Sequence, residues 1–360
     1  MSPYRVAFWD VFGASNLLTG PLGPLSNALL PKISQKAIKT SAVYEFMTWS
    51  IRDSHQRDLP VTNHVSKLVP MKKILTALLL LFIVPVGAAT ANPSYWKHEW
   101  PRTDFTKHSV AFEDILSGGP PKGGIPSIDN PKFVPVSKET ELTDTDPVIG
   151  LIVNGVAKAY PLRVLIWHEI VNDTIGNVPV TVTFCPLCNT AVVYDRRLDG
   201  KVLDFGTTGK TLKAMPARLE SWAKFKARAP QGQVLVPEAS GMRNYGATPY
   251  GGYDSLPKPF LYSGELPKNV PPLSRVVSTV DRSQAWSLAL LQRKKEIRLD
   301  GGLILRWEAG QISALDTTLI AKGADVGNVT VQRDGSDIPY FVDFVFAFHA
   351  FFPKATIHDK

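Results

Sequence analysis

Cys185 and Cys188 are the only cysteines in 360 residues, and they stand three apart in "TFCPLCNT". A pair at this spacing has three uses. It can cycle between dithiol and disulfide, one sulfur attacking and the other resolving. It can hold a soft metal ion, copper or zinc, with help from other ligands. It can also be an ordinary structural pair, in a β-rich envelope scaffold without chemistry. A disulfide closing so small a loop is strained, which makes it labile rather than stabilising. The nearest partners lie upstream in "WHEIVND": His168, Glu169 and Asp173. His168 is the candidate base for the attacking thiol, and equally the candidate third ligand of a metal held by both sulfurs. A lone histidine after an apolar run is more often a satisfied structural residue. A structural zinc site needs four ligands, and there is no second Cys-x-x-Cys. Asn189 stands where haem attachment requires histidine. The redox reading needs no cofactor, and which cysteine attacks is left open.

A second group, Arg243, Tyr245, Tyr253 and Asp254, lies in "GMRNYGATPYGGYD". Such a Gly/Tyr-rich stretch is either a binding rim or a tyrosine-packed surface loop. "DFGTTGK" (204–210) lacks phosphate-loop spacing, and the chain holds no G-x-S-x-G, H-E-x-x-H or G-x-G-x-x-G.

These residues must be positioned by strands. Val180, Val182 and Phe184 alternate into the motif, and "AVVY" after it is β-branched, so Cys-Pro-Leu-Cys is a tight turn between two strands. That differs from a thioredoxin-type motif, whose first cysteine starts a long helix. Asn189 suits the left-handed conformation such a turn needs. Asn154-Gly155, Gly176-Asn177 and Asp199-Gly200 are hairpin turns. The spacing predicts a helix over Pro216–Pro230, with Leu219, Trp222, Ala223 and Phe225 apolar. Residues 92–147 read as an irregular arm pinned by Trp96, Trp100, Phe105 and Phe112. "YFVDFVFAFHAFFP" reads as a core strand or helix, too short to span a membrane.

A weak internal repeat sets Ala159-Tyr160-Pro161-Leu162 over Ala285-Trp286-Ser287-Leu288, and Phe184 over Trp307. Phe184 over Trp307 already needs a gap of three residues after the first block, and the same offset sets Thr190-Ala191 over Ser313-Ala314. Glu308 and Gln311 then stand where the first copy has Cys185 and Cys188, so the cysteines are not needed for the fold. The expected fold class is mainly β, with α+β as the alternative: two related β-rich modules (148–210 and 271–360) joined by a helix and the Tyr/Gly-rich loop (211–270).

The formal charge of +8 is uneven: residues 1–91 carry a net +5 and the rest only +3. No Lys/Arg cluster with interleaved aromatics appears, which excludes a nucleic-acid partner. "MKKILTALLLLFIVPVGAATAN" has the basic, apolar and A-x-A regions of a secretory signal peptide in order, over 71–91. Met71 is therefore read as the true start, with 1–70 as upstream sequence. Cleavage implies export to the periplasm or cell envelope, where a disulfide persists, and leaves no transmembrane segment. The expected partner is a small molecule or a protein thiol.

"AYPLRVLIWHEIVNDTIGNVPVTVTFCPLCNTAVVYDR" closely resembles the signature of the bacterial Domain of Unknown Function 3179 family. The similarity continues through "LESWAKFKARAPQGQVL", "RNYGATPYGGYD" and "ALDTTLIAKGADVG", over roughly residues 95–358. The resemblance implies no established activity. Some members are thought to carry selenocysteine in the Cys-x-x-Cys position, which favours redox chemistry. By position it implicates Cys185 and Cys188, with His168 and Glu169 as neighbouring signature residues. The chain is shorter than the family pattern after Lys210 and near Asp343. Lost strands there would expose sheet edges.

Overall fold

The computed structural model describes residues 124–198, 200–203, 213–237, 243–260, 262 and 264–360, together with 97, 98, 101 and 106. The 1–70 extension, the signal peptide, the four aromatics of the arm, Asp199 and the 204–210 stretch lie outside the described residues. Among the described residues no helix is long and apolar enough to cross a membrane.

The described chain is mainly β with four short helices. In order it runs β1 (Lys132–Pro135), β2 (Pro147–Val153), β3 (Val156–Pro161), α1 (Leu162–His168), β4 (Ile170–Ile175), β5 (Val178–Cys185) and β6 (Thr190–Asp195). Then come β7 (Arg197–Leu198), β8 (Lys201–Val202), β9 (Lys213–Ala214), β10 (Ala217–Ser221), α2 (Trp222–Arg228) and β11 (Gln233–Val236). The remainder is β12 (Arg275–Thr279), β13 (Gln284–Ser287), α3 (Leu288–Lys294), β14 (Glu296–Leu299), β15 (Leu303–Glu308), β16 (Asn328–Arg333), β17 (Ser336–Asp337), β18 (Tyr340–Phe344), α4 (Val345–Phe351) and β19 (Thr356–His358).

The hairpin turns follow local chemistry. Asn154-Gly155 closes β2 onto β3 and Gly176-Asn177 closes β4 onto β5. All four residues have positive φ, as a type I′ turn demands. Leu198 pairs with Lys201 around the third turn.

One order of elements occurs twice. Sheet β11-β3-β2-β10, extended by β1, has the arrangement of β19-β13-β12-β18, and β4-β5-β6-β9 that of β14-β15-β16-β17. In both halves the outer strand pairs parallel to the strand that precedes the first helix. The correspondence reaches single hydrogen bonds. Glu169 and Lys295 cap α1 and α3 with positive φ of 58° and 63°. Their amides donate to Leu165 and Leu291, and their carbonyls accept from Phe184 and Trp307. The halves also exchange contacts, β18 packing on β6 and β10 on β16.

The registers correct the repeat seen in sequence. Cys185 pairs with Thr190, and Glu308 pairs with Asn328. Thr190-Ala191 therefore matches Asn328-Val329, and not Ser313-Ala314. The second half replaces the four-residue Pro186–Asn189 turn by the long loop between Glu308 and Asn328, so Gln311 has no counterpart at Cys188. Sequence matching went astray where loop lengths differ, because a loop carries no periodicity to align.

Two further differences have clear causes. The first half of the expected Pro216–Pro230 helix is strand β10, paired along its length with β2. Helix α2 begins only where Ser221 accepts a bond from the Lys224 amide. Leu219 and Trp222 are buried in separate clusters, an arrangement a strand-to-helix bend permits and one helix face does not. Helix α2 joins β10 to β11 within one sheet, as α4 joins β18 to β19 within another. Lys132–Pro135, expected to be irregular, pairs with β11. Near Asp343, β18 pairs with β12 through all five residues and is the edge strand of its sheet, its other side meeting β6.

Gly150 on β2 is required by packing. A Cβ there would lie 2.2 Å from Glu220 Oε1 and 2.4 Å from Arg228 Nη2, inside a buried ion pair. Gly150→Ala is expected to lower stability by about 1–3 kcal/mol in a urea melt. An unchanged midpoint would mean that the pair shifts aside freely.

Candidate functional site

The site is built around the β5–β6 turn. β5 brings Phe184 and Cys185 into the core, and Asn189, at φ 53°, turns the chain into Thr190. The expected strand–turn–strand setting of Cys-Pro-Leu-Cys is the one found. Both cysteines are free thiols, 6% and 2% exposed, with their sulfurs 3.0 Å apart.

Distant segments hold this turn. The Phe344 amide donates to the Cys188 carbonyl at 2.8 Å. The Tyr253 hydroxyl donates to the Leu187 carbonyl at 3.1 Å. Asn189 Nδ2 donates to the Val342 carbonyl at 3.4 Å, and Thr190 Oγ1 donates to Asp343 Oδ1 at 2.5 Å. Asp343 is 3% exposed and is neutralised by Arg282, itself 6% exposed. The thiol pair thus lies between the first half and β18 of the second, under the Tyr/Gly-rich loop.

The electrostatics follow from burial. Loss of solvent pushes the Cys188 thiol well up from its ordinary value, and Cys185, Asp343 and Glu169 add to the rise. Burial also pushes the Glu169 carboxyl up to about 8. Its side chain is 6% exposed and makes neither an ion pair nor a hydrogen bond among the described residues. Tyr250 responds to the same cluster: burial raises its hydroxyl, with Glu169 and Cys185 contributing.

The two members of the His168-Glu169 pair are placed differently. His168 Nδ1 is 2.9 Å from the Pro126 carbonyl and Nε2 is 3.0 Å from the Tyr245 hydroxyl. Its ring stacks on Tyr245, so both nitrogens are engaged away from the sulfurs. Asp343 and Glu169 are the carboxyl groups whose charge acts on Cys188. The place of Glu169 at a positive-φ helix end, a conformation uncommon outside Gly and Asn, was the available signal, but it shows only in three dimensions. Asp173 is structural: it accepts from Lys158 Nζ at 2.8 Å and from the Tyr160 hydroxyl at 2.7 Å. Asp254 braces the second half through Arg275 at 2.9 Å and Ser313 Oγ at 2.6 Å. Arg243 lies over the Trp167 ring and, with Tyr245 and Arg163, lines a recess of about 480 Å³ that includes neither cysteine. Of the loop candidates only Tyr253 reaches the turn.

Among the described residues no three His, Cys, Asp or Glu side chains are grouped to hold a metal ion. The set of Cys185, Cys188 and His168 therefore does not fit copper or zinc, because the histidine is turned away.

Comparison with known proteins bears on the family alone. No curated protein and no solved structure matches the chain. The pattern of one family, described as protein of unknown function (DUF3179), matches residues 122–211 and 208–355. The two stretches take in both halves of the repeat and the whole thiol site, and the chain belongs to the DUF3179 family.

Proposed function

We propose that this is a thiol redox protein in which Cys185 and Cys188 cycle between dithiol and disulfide. The observation that carries the reading is the 3.0 Å separation of two free sulfurs in a closed turn. Closing to the roughly 2.05 Å of a disulfide needs only a small movement. The internal repeat supports it. The second half builds the same strands and helices with an exposed Glu308 in place of Cys185, bound on the surface by Lys224. The cysteines are thus dispensable for the architecture and suited to chemistry. In this reading Cys188, whose thiol is pushed up by burial, is the resolving sulfur and Cys185 the attacking one. Reduction of a substrate disulfide then yields two substrate thiols and the Cys185–Cys188 disulfide. Export, as read from the 71–91 segment, would place the pair where such a disulfide persists.

Intact mass with thiol alkylation tests this on the full chain. In a series of glutathione buffers, two alkylatable thiols are expected to disappear together with a loss of two hydrogens. Cys185→Ser and Cys188→Ser should each abolish that two-electron step. Two thiols that stay alkylatable under every oxidising buffer would refute the reading.

A further inference from the structure

The recess lined by Arg163, Arg243 and Tyr245 contains a cation without a counter-charge. Arg243 is half-buried, with its guanidinium 5.6 Å from the centre of the Trp167 ring. It makes no hydrogen bond and no ion pair among the described residues. The ring beneath it is fixed, because Trp167 Nε1 donates to the Ala247 carbonyl at 3.2 Å. A guanidinium resting on an aromatic face keeps its N–H donors at its edge, where they suit a pair of acceptor oxygens.

The other charged groups of the recess are engaged. Arg163 Nε donates to the Tyr245 carbonyl at 2.9 Å and its Nη1 to the Glu141 carbonyl at 2.8 Å, which ties the rim together. Glu139 accepts from the amides of Glu141 and Leu142. The Glu141 side chain is 78% exposed and lies 3.7 Å from Arg163 Nη2. Much of the remaining wall is apolar, with Leu142, Pro161, Val164 and Leu235. A volume of about 480 Å³ is that of a small-molecule site. The architecture does not require these side chains. At the places of Arg163 and Trp167 in the second half, α3 carries Ala289 and Arg293, both exposed. Helix α1 thus carries a feature that its counterpart lacks.

We propose that this recess binds a small organic carboxylate with an apolar body, clamped by Arg243. The carboxylate takes the edge of the guanidinium, two N–H donors meeting two oxygens, a geometry that the planar fork favours over any neutral acceptor. The body covers the apolar wall and removes it from water. A neutral ligand would bury the Arg243 charge without pairing it, which costs free energy. A bare inorganic anion would pair the charge but leave the apolar wall wet. The site includes neither cysteine, so the proposal does not rest on the redox reading.

Isothermal titration calorimetry on the full chain at neutral pH tests this. The probes are N-acetylglycine, N-acetyl-leucine and N-acetyl-phenylalanine, the neutral amide of each, and inorganic phosphate. The leucine and phenylalanine acids should bind about 10-fold or more tightly than their amides, and more tightly than N-acetylglycine or phosphate. Arg243→Gln should bring each acid down to the affinity of its amide, again a loss of about 10-fold or more. Arg293→Gln, at the place in the second half that matches Trp167, should leave binding unchanged, and circular dichroism should show both variants folded. Acids that bind no better than their amides would overturn the proposal, as would an Arg243→Gln variant with wild-type affinity. Phosphate bound as tightly as the acids would also overturn it, since the apolar wall would then play no part.

Discussion

Arg282→Ala should destabilise the protein by about 3–5 kcal/mol, among the largest effects open to a single substitution away from the sulfurs. Arg282 and Asp343 are both buried, and the guanidinium also donates to Ser278 Oγ at 3.1 Å and lies 3.5 Å from the centre of the Phe341 ring. Removing it leaves the Asp343 charge uncompensated inside the fold. The first half contains a counterpart, Glu220 with Arg228, at the matching place on β10. Each half thus buries one carboxylate on the strand before its second helix and neutralises it with one arginine. Thermal melting of the full chain should show a midpoint lower by about 10 °C, given the usual entropy of unfolding for a domain of this size. The double variant Arg282→Met with Asp343→Leu should recover much of the loss, because an apolar pair of similar volume carries no buried charge. Melting of Arg282→Ala at the wild-type temperature would show that Asp343 is not held as a buried anion. The effect extends to the site. Asp343 raises the Cys188 thiol, so without Arg282 the alkylation of Cys188 should become slower at a given pH.

Stability should also decline with rising pH, through Glu169. The carboxyl is raised from an ordinary value near 4.5 to about 8 in the folded state. A group raised on folding contributes stability that is complete below its unfolded pKa. That contribution shrinks as pH climbs and is lost once pH has passed the folded value. The window therefore runs from about pH 4.5 to just above 8, and the full change is on the order of 4 kcal/mol. Glu169→Gln has no proton to lose, so its stability should stay flat across this window. The two proteins should be close at pH 5, and the variant should be the more stable by a few kcal/mol at pH 9. Urea melts at the two pH values measure the difference. Parallel wild-type and variant curves would mean that Glu169 is solvated in the folded protein.

The amino-acid sequence by itself determined the short-range features. Asn154-Gly155 and Gly176-Asn177 make hairpins because their residues tolerate positive φ, a preference settled within two residues. Alternation into Cys185 and β-branching after Asn189 place the cysteines on a strand-to-strand turn. The repeat was legible through Trp307 and failed only where its loops differ in length. The family, too, was legible in the signature around the cysteines. The tertiary structure alone decided which groups surround the sulfurs. Phe344, Val342 and Tyr253 bind the turn from far along the chain, Val342 from 153 residues away. No local pattern encodes such a meeting. The same holds for the different placing of His168 and Glu169. The two are adjacent in sequence, yet the left-handed helix end sends one side chain to Pro126 and Tyr245 and buries the other beside the thiols. It holds also for strand β10, where helical propensity in "ARLES" yields to pairing with β2. Local conformational preference is a property of a few residues, whereas burial, and the ionisation that burial controls, depends on which distant surfaces close over them.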